Sequence, residues 1–287
     1  MRRLSWFHCC FILWTWLEVF PASSFPLFGV SKRKNCGRLN SSSSTTPTSH
    51  ERLLLSGQKP PFLAVITEPD ACGSDERVAQ TLHVLQRVLS VSGVNLISVR
   101  VTSDSKKSRV VQLVRGLVQL AEGESSSENP GVRIVVTSDW VDAAMEGGAH
   151  GIHVKESHRE RIPEIRKQFE PRQPLIGTSA HSIVSAQSAM QNFQPDYLFV
   201  GTCYPTQTHP EKLDLEGPEL PGQVMEVIQY GCPVFAIGGI HANNCAEPIS
   251  MGATGVATIR AILQAKDPAV VVCGMKHNMQ QAFVKSE

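Results

Sequence analysis

The sequence has few aromatic residues, almost no net charge and no paired cysteine spacing. Three tyrosines, four tryptophans and a formal net charge of +1 in 287 residues provide neither a stacking platform nor a basic surface, which argues against a nucleic-acid partner. Zinc sites and disulfide frameworks need paired spacings such as C-x-x-C. The cysteines beyond residue 50 have none and are odd in number, so we expect reduced, mostly buried thiols; they are Cys72, Cys203, Cys232, Cys245 and Cys273.

The N-terminal segment lacks a run long enough to cross a bilayer. After a basic start, the apolar run from Trp6 to Leu17 is shorter than the roughly 20 residues that a span needs, and it has the size of a signal-peptide core. A short-lived membrane anchor is the alternative. The following "PASSF" resembles the junction of two-part plastid presequences, and residues 26–50 contain no acidic residue but many Ser and Thr. We therefore expect a signal peptide at 1–24, a plastid transit or linker segment at 25–58, and a mature plastid enzyme at 59–287 without stable membrane association.

From Pro60 onward, short β-branched runs alternate with amphipathic segments. The first strand-like run is "FLAVITE" and the eighth is "TGVATI". Strict alternation predicts right-handed β-α-β units and a parallel sheet, and eight units at this length predict an α/β fold of the TIM, or (β/α)8, barrel type. A doubly wound open sheet is the alternative, which the lack of G-x-G-x-x-G after the first strand disfavours.

Active sites of such barrels lie at the carboxyl ends of the strands. The stretch "IGTSAHS" puts His181 where the fifth strand passes into a helix, so His181 is either catalytic or a helix cap together with Ser182. Arg100 is either a ligand for a carboxylate or phosphate, or an ion-pair partner of Asp139. We expect His153, within the fourth strand, to be structural.

The seventh strand ends in "AIGGI", Ala236 to Ile240. Phosphate groups in these barrels commonly bind after strands seven and eight, where unshielded backbone amides favour an anion. Gly238 and Gly239, with Arg260 nearby in sequence, therefore predict a phosphate site. A tight turn is the alternative explanation of the two glycines.

The run from Ile176 to Ile262 resembles the thiamine phosphate synthase/TenI family. The matching pieces are "IGTSAHS", "DYLFVGTCYPT", "GCPVFAIGGI" and "MGATGVATIRAI", and weaker matches extend over the rest of the barrel. The resemblance implies a TIM barrel that binds a small-molecule thiazole phosphate, and it is compatible with a homo-oligomer. The substrate- or phosphate-binding residues that it implies are Ser179, Thr206, Thr208, His209, Gly238, Gly239, Ile259 and Arg260.

The family has two chemistries. The synthase joins a pyrimidine diphosphate to the thiazole phosphate and expels pyrophosphate, and it needs Mg²⁺ to share the developing charge. This sequence keeps Asp139 as a metal ligand if it is a synthase, and Lys155 and Lys212 are candidates to replace missing cationic groups. Several synthase positions differ, however: Ser98 and Thr102 replace Gln and Lys, Ser138 replaces Asn, His158 replaces the second metal-binding Asp, and His209 replaces Lys.

The TenI type is a thiazole tautomerase without metal or other cofactor. It shifts a proton so that a non-aromatic thiazole carboxylate phosphate becomes the aromatic isomer, and the resemblance assigns the proton transfer to His181, with Arg100 as a second catalytic residue. Synthases share the Ser-x-His-Ser motif, so only the missing metal and pyrophosphate residues favour the tautomerase. The alternatives are the synthase and a non-catalytic regulator that binds thiazole or thiamine phosphate.

Overall fold

The computed structural model describes residues 58–123, 131–208 and 210–286. The predicted signal peptide at 1–24 and all but the last residue of the predicted transit segment at 25–58 lie outside these ranges, as does His209. Their roles, and the plastid location that depends on them, stay predictions. Within the described ranges, no helix combines the length and the apolar composition that a membrane span requires.

Eight parallel strands close into a barrel in sequence order, and the last strand pairs with the first. All but three of the strand residues are buried, as expected for parallel strands that are covered on both sides. The predicted TIM barrel is therefore confirmed, and the open-sheet alternative is wrong. The strands are β1 Phe62–Ile66, β2 Leu96–Val99, β3 Arg133–Thr137, β4 Gly151–Val154, β5 Leu175–Ala180, β6 Tyr197–Val200, β7 Val234–Ile237 and β8 Gly255–Thr258.

Helices follow the strands and cover the barrel. Ser74 begins the first of them, because its hydroxyl accepts a hydrogen bond from the Arg77 amide at 3.1 Å and satisfies an orphan donor. The helices are α1 Asp75–Leu89, α2 Lys107–Gly123, α3 Val141–Gly147, α4 Ile162–Gln168, α5 Ile183–Phe193, α6 Leu220–Val227, α7 Ala246–Ser250, α8 Arg260–Leu263 and α9 Pro268–Ser286. Short 3-10 helices at Ser138–Trp140 and Glu156–Arg161 follow β3 and β4.

Aromatic side chains fill the inside of the barrel. Tyr197, Phe199 and Phe235 lie with ring centroids 5.1 to 5.9 Å apart, a spacing at which tilted aromatic pairs stabilise each other. Tyr197 fits because its cross-strand partner is Gly177. A Cβ atom at Gly177 would lie 1.9 Å from the tyrosine ring, so the glycine provides the space for the phenol.

His153 is buried in this interior and has a partner on each ring nitrogen. Its Nδ1 lies 3.1 Å from the Tyr197 hydroxyl and its Nε2 lies 3.0 Å from Ser179 Oγ. The ring also stacks on Phe199 at 4.6 Å between centroids. Burial lowers the pKa of His153 to about 3, because a charged imidazolium loses its hydration there. This is the structural histidine that the strand pattern predicts.

The buried neutral His153 predicts a loss of stability in acid. The unfolded chain takes up a proton on this residue near pH 6.5, whereas the folded chain does so only near its lowered pKa of about 3, so stability falls as the pH drops through this window. We expect the free energy of unfolding to be about 2 kcal/mol lower at pH 5 than at pH 8 through this group alone. Urea unfolding of the wild type and of His153→Gln at both pH values tests this. An equal loss in the two proteins would contradict it.

The cysteines behave as their spacing predicts. Cys72, Cys203, Cys232 and Cys245 are buried and free, and Cys273 is exposed and free. Burial raises the pKa of the Cys72 thiol to about 11, so this group stays protonated and unreactive at neutral pH.

Candidate active site

His181 stands directly after β5 at the mouth of the barrel, and its side chain is 49% exposed. Its Nδ1 is hydrogen-bonded to the carbonyl oxygen of Gly201 after β6. A carbonyl only accepts, so Nδ1 carries a proton in both charge states of the ring. The other nitrogen, Nε2, is therefore the atom that can take up and release a proton.

The capping role belongs to the next residue. Ser182 is the N-cap of α5, and its hydroxyl accepts the Ser185 amide at 3.1 Å. His181 is not needed for the cap, and its contacts point instead to the loops after β4 and β6.

Two carboxylates lie beside the His181 ring, and the sequence reasoning did not identify either of them. Glu156 Oε2 is 3.8 Å from Nε2, and Glu216 Oε1 is 3.9 Å from Nδ1. Glu216 also accepts hydrogen bonds from Lys212 Nζ and the Thr202 amide, each at 2.5 Å. Burial would raise the pKa of Glu216, but these hydrogen bonds and the Lys212 charge lower it overall. Glu156 could have been identified from the sequence as a mouth residue, because it stands two residues beyond the carboxyl end of β4.

Two arginines on the other side of the mouth are near enough for their charges to interact. Arg100 follows β2, Arg260 begins α8 after β8, and β1 separates the two strands. The Thr67 hydroxyl fixes the Arg100 backbone amide at 2.9 Å, and Arg260 Nη1 donates to Thr208 Oγ1 at 3.2 Å. Burial lowers the pKa of Arg100, and the nearby charge of Arg260 lowers it further.

This arginine pair, Arg100 and Arg260, is suited to bind an anion. In the described part of the chain, neither guanidinium forms an ion pair with a carboxylate. The predicted alternative of an Arg100–Asp139 ion pair is therefore wrong. Two partly buried guanidiniums that repel each other favour a phosphate or carboxylate between them, because Arg binds such groups through several parallel hydrogen bonds.

Asp139 pairs with cations from the segment after β4 instead. Lys155 Nζ lies 3.0 Å from Oδ2, while Arg161 Nη1 and His158 Nδ1 lie 3.4 and 3.8 Å from Oδ1. Burial would raise the pKa of Asp139, but the Lys155 hydrogen bond and the three neighbouring charges lower it overall. Both carboxylate oxygens thus already face cationic groups of the protein itself.

The remaining predicted binding residues lie near the mouth, where they take part in a turn, in hydrogen bonds or in packing. Gly238 and Gly239 have φ angles of +102° and +65°, and a Cβ at Gly239 would lie 2.4 Å from the Pro205 carbonyl oxygen, so the tight turn alone accounts for both glycines. The Ser179 hydroxyl is bonded to His153, and Thr206 Oγ1 accepts the Thr208 amide at 3.2 Å. Ile259 is half-buried against the interior aromatic cluster. These residues stay predicted ligands.

The sequence matches the model of one protein family, described as thiamine monophosphate synthase (TMP-TENI), over residues 63–262. The match spans nearly the whole barrel. The chain belongs to this family.

Individual members of the thiamine monophosphate synthase family are similar to this chain in sequence. The thiamine-phosphate synthase of Shouchella clausii (strain KSM-K16) is 32% identical over 191 residues, which is 66% of this chain and 85% of that protein. The thiamine-phosphate synthase of Mycobacterium sp. (strain JLS) is 34% identical over 145 residues, 50% of this chain and 61% of that protein. These relatives carry the synthase name, which corresponds to the alternative reaction and not to the TenI branch.

A solved structure supports the fold. The thiamine phosphate pyrophosphorylase from Pyrococcus furiosus superimposes with a TM-score of 0.62 at 24% identity, and the match covers 77% of this chain and 96% of that one. At this identity the likeness shows the barrel architecture and nothing finer.

The synthase reaction of the thiamine monophosphate synthase family implies Mg²⁺, and the residues around Asp139 do not fit it. Mg²⁺ prefers carboxylate oxygens and water in an octahedral shell, whereas Asp139 is surrounded by Lys155, His158 and Arg161. Across residues 58–123, 131–208 and 210–286, no three His, Cys, Asp or Glu side chains cluster so as to hold a metal ion. A Mg²⁺ ion at Asp139 would meet the repulsion of the Lys155 and Arg161 charges.

Proposed function

We propose that this member of the thiamine monophosphate synthase family acts in thiamine biosynthesis as a metal-independent thiazole tautomerase. The observation that carries the proposal is the state of Asp139, whose oxygens are engaged by Lys155 and Arg161. A synthase would need this carboxylate for Mg²⁺. A tautomerase needs only an anion site and one group that exchanges a proton near neutral pH.

The arrangement at the mouth supports such a reaction. The arginine pair would hold the phosphate or the carboxylate of the substrate, and His181 lies across the mouth directly after β5. Its Nε2 would accept a proton from one carbon of the non-aromatic ring and return it to another carbon of the conjugated system. The product is the aromatic isomer of the same composition, so the reaction needs no oxidant and no leaving group.

A second candidate is the thiamine phosphate synthase reaction, which the names of the relatives favour. Arg100, Arg260, Lys155 and Arg161 would then have to hold the pyrophosphate without a metal ion. Lys212, one of the predicted replacements, is bound to Glu216, and Lys155 is bound to Asp139. Both lysines are thus engaged with carboxylates, which favours the tautomerase.

Incubation with the non-aromatic thiazole carboxylate phosphate tests the proposal. We expect the ultraviolet absorbance of the aromatic isomer to appear at the same rate with Mg²⁺ and with EDTA. A parallel reaction receives pyrimidine diphosphate, thiazole phosphate and Mg²⁺. Release of pyrophosphate there, without isomerisation in the first reaction, would replace the tautomerase by the synthase. Binding of the thiazole without turnover in either reaction would make the protein a non-catalytic binder.

A further inference from the structure

The carboxylate of Glu156 has one oxygen that remains unused by the protein. Glu156 begins the 3-10 helix after β4. Its Oε1 accepts a hydrogen bond from the Ser185 hydroxyl. Its Oε2 is buried and has no hydrogen-bond partner among the described residues, and it lies 3.8 Å from His181 Nε2. A buried carboxylate oxygen without a hydrogen-bond donor destabilises the folded protein. Its position next to an imidazole nitrogen therefore suggests a functional role.

The position of Glu156 is fixed by the same turn that carries His181. Ser185 lies in the first turn of α5, and Arg159 donates through Nη1 to the Ser185 carbonyl oxygen at 2.9 Å and through Nη2 to the Ser179 carbonyl oxygen. Arg159 Nη2 is also 4.0 Å from Glu156 Oε1. Arg159 and Ser185 therefore link β5, the first turn of α5 and the 3-10 helix that carries Glu156.

The other charged groups near the ring differ from Glu156 in their partners. Glu216 faces Nδ1 from the loop after β6, but Lys212 neutralises its charge and the Thr202 amide occupies its second oxygen. Arg159 Nη2 is close to the other oxygen of Glu156, Oε1, at 4.0 Å. Glu156 Oε2 is therefore the one described carboxylate oxygen that faces Nε2 without a donor of its own.

We propose that Glu156 is a positioning residue for His181. Its carboxylate stabilises and orients the imidazolium that forms when His181 Nε2 accepts the proton of the substrate. The inference rests on the proposed function, because it takes Nε2 as the proton acceptor. A carboxylate within about 4–6 Å favours the charged form of a neighbouring base. Glu156 Oε2 is buried, whereas the His181 side chain is 49% exposed, so a substrate can approach the imidazole from the mouth of the barrel.

The proposal predicts a specific change in Glu156→Gln. The amide keeps the shape and can still accept from Ser185, but it has no charge to stabilise the imidazolium. We expect kcat to fall about tenfold with KM nearly unchanged, and the pH profile of kcat to move to lower pH. Glu156→Asp keeps the charge and should keep a profile nearer to that of the wild type. Glu160→Gln is the matched control, since Glu160 is exposed on the same 3-10 helix, and it should behave as the wild type.

A titration of the unliganded protein separates this inference from the proposed function. The ring signals of isotope-labelled histidines are followed by NMR from pH 4 to pH 9, and the His181 signal is identified by its loss in His181→Asn. We expect it to titrate at lower pH in Glu156→Gln than in the wild type and Glu160→Gln. The same titration in all three would overturn the role of Glu156, even with an active enzyme. A displaced titration in a protein that turns over no thiazole would uphold the Glu156–His181 pair and remove the tautomerase.

Discussion

His181→Asn is expected to lower kcat for thiazole isomerisation by about 10²–10⁴-fold, the contribution of a positioned acid–base group. Asparagine keeps a polar side chain that can donate to the Gly201 carbonyl oxygen as Nδ1 does, but it cannot exchange a proton near neutral pH. The arginine pair lies across the mouth and is untouched, so the affinity for thiazole phosphate should stay close to that of the wild type. Ultraviolet assays of kcat and calorimetry of binding measure the two effects separately.

The pH dependence of the wild type provides the control for this substitution. The part of the pH dependence of kcat that comes from protonation of His181 Nε2 should be present in the wild type and should vanish in the asparagine variant. If His181→Asn turns over like the wild type, another group moves the proton. In that event the contacts of His181 with Gly201, Glu156 and Glu216 would serve only to hold the loops of the mouth together.

Arg100→Gln or Arg260→Gln should each raise the Kd for thiazole phosphate about 100-fold, because each removes a charge-assisted contact to an anion in a partly desolvated site. The affinity of the wild type should fall with added salt, and that of the variants should fall less. Calorimetry at low and high salt measures both effects. Arg87→Gln is the matched control, since Arg87 pairs with Asp267 at 3.3 Å on the half-exposed surface. Unchanged binding in both mouth variants would place the phosphate elsewhere.

The barrel and the location of its mouth could be predicted because both follow from local patterns. Alternating strand and helix runs specify each unit, and parallel closure brings the residues after each strand to one end of the fold. His181 and Arg100 were identified as mouth residues on this basis alone. His153 was assigned to a structural role because it lies inside a strand, and its contacts with Tyr197 and Ser179 agree with that assignment.

The pairing of charges across the mouth could not be predicted in this way. Arg100 was the ion-pair partner of Asp139 that the sequence suggested. The structure pairs Asp139 with Lys155, although β2, which precedes Arg100, and β4, which precedes Lys155, are both neighbours of β3. Which side chains meet depends on loop conformations, and these are not encoded in a simple period.

The glycines after β7 show a second limit of sequence patterns. Gly238 and Gly239 suggest an anion site, but a glycine is also required wherever φ is positive or another backbone approaches closely. Both conditions hold here, since the turn packs against the Pro205 carbonyl oxygen. A single sequence cannot separate a glycine that serves folding from one that serves binding, because the same missing side chain satisfies both.

The arginine pair makes the mouth of the barrel locally frustrated. Most of this fold follows the rule that neighbouring interactions support one another, yet Arg100 and Arg260 are held together against their mutual repulsion. The rest of the barrel supplies the free energy that keeps them there. A bound anion would offset this repulsion between Arg100 and Arg260. Phosphate should therefore raise the melting temperature of this protein as well as occupy its site.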